Sequence, residues 1–117
     1  MTDSKEIVIN DIVFRITMKS RLRIEERLIK TYWENIENAI TNLINISKTI
    51  DCFKLKTEYK ICLIFAYLRN KALGKCYSNS GVIKIANNYS DYDDFDSIFF
   101  HELFHLAFGA NLPRNKG

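Results

Sequence analysis

A chain of 117 residues, 47% hydrophobic and 26% charged, can bury one core without disulfides and is too short for two ordinary domains. No apolar run reaches the length of a membrane span, and Met1–Glu6 is polar with no signal-peptide core, so no membrane partner is expected. The net charge of +3 permits contact with nucleic acid without requiring it.

In chain order, residues 6–18 place apolar and β-branched runs on either side of Asn10-Asp11, which predicts a β-hairpin. Ser20 is a candidate cap for the next element. Ile24, Leu28, Tyr32, Ile36, Ile40, Leu43 and Ile44 then recur at helical spacing, predicting one amphipathic helix over about residues 21–48. The cations Arg15, Lys19, Arg21, Arg23, Arg27 and Lys30 cluster here; a solvated face accounts for such a run, and DNA association is the alternative to it. Residues 57–73 satisfy two patterns. Ile61, Ile64, Phe65, Leu68 and Ala72 suit a helix ended by Gly74, whereas Ile61, Leu63, Phe65 and Tyr67 alternate as in a strand.

Ser78-Asn79-Ser80-Gly81 reads as a turn, and Val82–Ala86 as a short strand with Lys84 facing out. Residues 87–96 are polar and acidic, and Asp94 or Asp96 can cap a helix over about 96–108 that is apolar nearly all round and therefore buried. Gly109 and Pro113 follow as stop signals. Cys52, Cys62 and Cys76 are odd in number and lack C-x-x-C spacing, which argues against a disulfide framework and for a reducing, cytoplasmic location.

The chemistry concentrates in His101-Glu102-Leu103-Phe104-His105, which holds both histidines of the chain. Residues four apart share a helix face, so two imidazoles at this spacing can hold one Zn²⁺, with Glu102 beside it as general base and acid. Such an ion brings the pKa of a bound water toward about 7, Glu102 takes the proton, and a protein or peptide substrate is hydrolysed. A strand next to this helix, Val82–Ala86, offers an edge for an extended peptide. The third ligand is not evident: Asp93, Asp94, Asp96 and Cys76 are the candidates, and no third histidine exists. A chain that has lost its C-terminal portion would explain the gap, a point the surrounding reading frame tests.

Leu73-Gly74-Lys75-Cys76, Val82-Ile83-Lys84-Ile85-Ala86-Asn87 and the His-Glu-x-x-His run together resemble the SprT-like zinc metallopeptidases. In that family a long helix, a glycine-containing strand and a second strand precede the active-site helix. The resemblance implies strands rather than a helix over 59–77, zinc ligation by His101 and His105, and catalysis by Glu102. It also implies a third histidine beyond the helix, where this chain has none. Val82–His105 fits the ImmA/IrrE-type repressor-directed peptidases nearly as well. A non-catalytic zinc-binding interaction module is the alternative from another class. The YbeY-like endoribonucleases share the histidine pair but lack the glutamate. The expected architecture is a single α+β domain over residues 1–117, zincin-like, with an N-terminal hairpin, a long helix, a small β-sheet and a buried active-site helix near the C-terminus.

Overall fold

The structure, a computed structural model, describes residues 1–21, 23–50, 54–70, 72–86 and 95–108. The expected hairpin is present and longer than the apolar pattern required: β1 spans Thr2–Ile9 and β2 spans Ile12–Ser20. Asn10 and Asp11 join them at φ values of 52° and 65°, the left-handed pair that a two-residue turn needs and that these short polar side chains tolerate.

Helix α1, Glu26–Thr49, begins five residues later than position 21, where the sequence placed it. Ser20 does not cap it. Ser20 closes the hairpin instead: its N–H donates to the Met1 carbonyl, and its own carbonyl accepts from the Met1 ammonium at 2.8 Å. Glu25 stands at the N-cap without a side-chain cap bond, and its carbonyl accepts from Leu28 and Ile29.

The ambiguous segment resolves into β3, Glu58–Ala66, followed by β4, Gly74–Tyr77, after a connection in which Asn70 turns at φ 60°. The strand pattern wins because β3 is covered on both sides. Tyr59, Ile61 and Leu63 lie opposite Phe14, Ile16 and Met18 of β2, and Leu63 and Phe65 opposite Ile83 and Ile85 of β5, Val82–Ala86. The mixed sheet runs β1-β2-β3-β5-β4, with β2, β3 and β5 parallel and the two outer pairs antiparallel.

Because strand side chains alternate, these buried residues all fall on one face of the sheet. Both helices cover that face. Tyr32 of α1, Phe65 of β3 and Phe95 of α2 (Phe95–Phe108) meet with ring centroids 4.5–5.8 Å apart, and Phe99 stacks on Phe95 at 5.9 Å. Burying each such ring stabilises by about 1.5–3 kcal/mol, so this cluster fixes the start of α2 against the C-terminal end of β3. The opposite face is polar toward the hairpin, where Arg15 bridges Glu6 at 3.4 Å and Glu58 at 2.7 Å. The acidic residues Asp91, Asp93 and Asp94, and the stop signals Gly109 and Pro113, lie outside the described residues. Among the described residues no helix is long and apolar enough to cross a membrane.

Candidate metal centre and its cleft

Helix α2 carries residues 101–105 at its middle, and its packing sorts the three candidate side chains. Phe95, Phe99 and Leu103 form the buried stripe. Glu102, on the flank of that stripe, is 8% exposed, whereas His101 is exposed and His105 half-buried. The expectation of a helix buried nearly all round is therefore corrected: within the motif, burial falls on the carboxylate more than on the imidazoles.

One helical turn separates the imidazoles, which meet edge to face with centroids 4.6 Å apart. Their Nε2 atoms lie 3.1 Å from each other. Two nitrogens bound at about 2.0 Å to one tetrahedral ion stand about 3.3 Å apart, so this donor pair fits zinc with little adjustment. The same distance also suits an N–H···N hydrogen bond when one Nε2 is protonated. Among the described residues no group of three or more His, Cys, Asp or Glu side chains is placed to hold a metal ion. Neither Cys76 nor Asp96 joins the histidines in such a group. The Asp96 carboxylate accepts the Ser97 N–H at 2.8 Å in the first turn of α2. Asp93 and Asp94 lie outside the described residues.

Burial raises the pKa of Glu102, and the nearby His101 partly counters the rise. A carboxylate in this setting holds its proton more readily than one in water, the direction that suits a group which must accept and then return one. Cys76, on the helix-covered face of β4, is pushed up to about 11 by burial and by the charge of Glu102, so its thiol is a poor metal ligand until deprotonated. Cys62 and Cys76 are both free, and the strand alternation puts them on opposite sheet faces.

The tightest structural condition on Glu102 is a glycine. A Cβ on Gly74 would stand 2.9 Å from Ile98 Cγ2, 3.1 Å from Glu102 Cγ and 3.3 Å from Glu102 Oε1. Glycine thus lets β4 lie directly against α2. A lone glycine within a short strand is a known sign of close backbone approach, and it was the available signal for this role.

A cleft of about 610 Å³ opens beside this contact. Arg69 and Asn70 from the β3–β4 connection, Gly74 and Lys75 from β4, and His101 and Glu102 from α2 line it. The strand at its rim is β4, because the sheet order places β5 between β3 and β4. Val82–Ala86 therefore cannot accept a further strand, contrary to the sequence expectation. The basic run also divides, since Arg15 is paired on the sheet face and Arg27 bonds Glu25 at 2.7 Å.

No family model matches this chain, and neither curated proteins nor solved structures show a significant similarity to it.

Proposed function

We propose that the chain is a zincin-like, SprT-like zinc peptidase domain that hydrolyses peptide bonds in a cytoplasmic protein substrate. The observation that carries this reading is the 3.1 Å convergence of His101 and His105 Nε2 beside a buried Glu102 at the mouth of a cleft. The order of elements supports it: long helix, then β3, the glycine-containing β4 and the strand β5, then the helix with both histidines.

His101 and His105 would hold Zn²⁺ through Nε2. When bound, the ion supplies Lewis-acid polarisation of the scissile carbonyl and acidifies a water. The remaining steps belong to side chains. Glu102, at its carboxylate, takes the proton of the attacking water and returns it to the leaving amine. Edge strand β4 orients the substrate. Its residues paired with β5 alternate between inward and outward main-chain groups, and because Leu73 bonds Ala86, the N–H and C=O of Gly74 and Cys76 face the edge left unpaired among the described residues. An extended peptide can pair there and pass its backbone across Glu102.

A non-catalytic zinc-binding module is the second reading, which the same histidine pair serves. Metal content and hydrolysis separate the two. The peptidase reading expects one Zn²⁺ per chain by elemental analysis, lost in His101→Ala, with peptide cleavage lost in Glu102→Gln while zinc is retained. A folded, zinc-free protein that cannot take up the ion sinks both readings. Zinc binding without hydrolysis of any peptide leaves the binding module. Repressor-directed and DNA-associated substrates differ in whether added DNA stimulates cleavage.

A further inference from the structure

We propose that the edge of β4 selects extended peptides carrying an acidic residue opposite Lys75. The inference rests on reading the cleft as a site where a peptide pairs with β4.

Lys75 and Arg69 line the cleft, and neither forms an ion pair among the described residues. Lys75 also lies directly across from Lys84 of β5, its register partner. Like charges placed opposite one another across a ladder repel, so this pair is an electrostatic cost that a nearby anion would remove. Lys84 finds partial relief over the Tyr77 ring, 5.3 Å from its centroid. For Lys75, which is exposed, no contact of that kind is present among the described residues.

The ladder geometry then says where the anion would come from. Gly74 and Cys76 present their main-chain groups to the edge that is open among the described residues, so an added antiparallel strand makes its close, non-hydrogen-bonded pair at Lys75. In that pair the two side chains stand on the same sheet face at the shortest cross-strand separation. The face is the one turned away from Glu102, because Gly74 and Cys76 alternate with Lys75 and sit on the helix side. An acidic side chain opposite Lys75 is thus attracted by it and kept apart from the buried carboxylate.

The test uses the full chain in EDTA, so that binding is read without hydrolysis. Fluorescence anisotropy measures the affinity of three labelled nonapeptides, uncharged apart from a central Glu, Gln or Lys. We expect the Glu peptide to bind about threefold more tightly than the Gln peptide and about tenfold more tightly than the Lys peptide at low salt, the range of exposed ion pairs. Lys75→Glu should reverse that order with the circular dichroism spectrum unchanged. Equal affinities, or an order unaffected by Lys75→Glu, would overturn the proposal. So would a single-stranded oligonucleotide that competes with the Glu peptide at equal concentration and weakens equally with Lys75→Glu, since the surface would then read charge alone. The two readings fail separately. Charge-selective binding without zinc-dependent cleavage removes the peptidase and leaves this inference, and cleavage indifferent to the central residue does the reverse.

Discussion

Gly74→Ala is the sharpest probe of how the fold positions Glu102. A new methyl would lie 2.9 Å from Ile98 Cγ2 and 3.1 Å from Glu102 Cγ, where unstrained carbon pairs sit at about 3.5–4.0 Å. Something must move by roughly half an ångström or more. The Ile98 side chain is half-buried, and Glu102 is held between α2 and β4, so neither gives freely. The four-residue β4 is the weaker partner, because among the described residues β5 alone pairs with it. Overpacking of this kind costs about 1–3 kcal/mol, and the reduced backbone entropy of the unfolded alanine chain offsets about 0.4–1 of that. The expected net loss of about 1 kcal/mol lowers Tm by roughly 4 °C for a domain of this size.

Thermal unfolding followed by circular dichroism gives the first number, and amide shift changes near Ile98, Glu102 and Cys76 give the second. Gly81→Ala is the control. Gly81 sits at φ +70°, where an added Cβ would collide with the Lys60 carbonyl oxygen of β3 and meet no atom of α2. It should destabilise the turn before β5 and leave the amides around Glu102 in place. If Gly74→Ala is as stable as the parent, or if its shift changes match those of Gly81→Ala, the proposed contact between β4 and α2 is wrong.

The titratable groups give two more expected outcomes. With Cys52 and Cys62 replaced by serine, the remaining Cys76, pushed up to about 11, should react with a disulfide reagent at pH 8 about a hundredfold more slowly in the folded than in the unfolded chain; equal rates would contradict its burial. Glu102 has a folded pKa above its unfolded one, so the protein binds that proton more tightly when folded. Its contribution is therefore favourable below the unfolded pKa and is lost as pH rises through the folded value. In EDTA, Glu102→Gln should melt above the parent at neutral pH, and the gap should close as pH falls toward about 4. A constant gap would show that the charge of Glu102 plays no part.

Much of the fold was legible because local pattern and tertiary partner agree. Asn10-Asp11 marks the hairpin, the Tyr32–Ile44 stripe marks α1, and Val82–Ala86 is a strand with the expected bounds. Where the sequence misleads, a distant residue decides. Ser20 is as good a cap as any serine, yet Met1 takes its backbone into the hairpin. Residues 57–73 carry both periodicities, and only the flanking strands β2 and β5 select one. The edge position of β4 is likewise a matter of sheet order, although its composition held a hint: Gly-Lys-Cys-Tyr is polar beside the β-branched run of β5, and interior parallel strands favour the latter.

The division of burial within the motif was legible too, by helical phase rather than by composition. At about 100° per residue, Phe95, Phe99 and Leu103 define one direction, with Glu102 about 60° from it and His105 and His101 about 120° and 160° away. A helix counted as apolar all round hides that order, because Phe100 and Phe104 add to the count without sharing the phase of the stripe. Phase alone places the histidines toward solvent and the glutamate at the margin of the core, as observed. The two demands on the site are then met on one helix. The imidazoles stay accessible to a metal, and the carboxylate is partly dehydrated where it meets Gly74. A substitution that rotated the stripe, rather than one that removed a histidine, would be the more complete way to separate those roles.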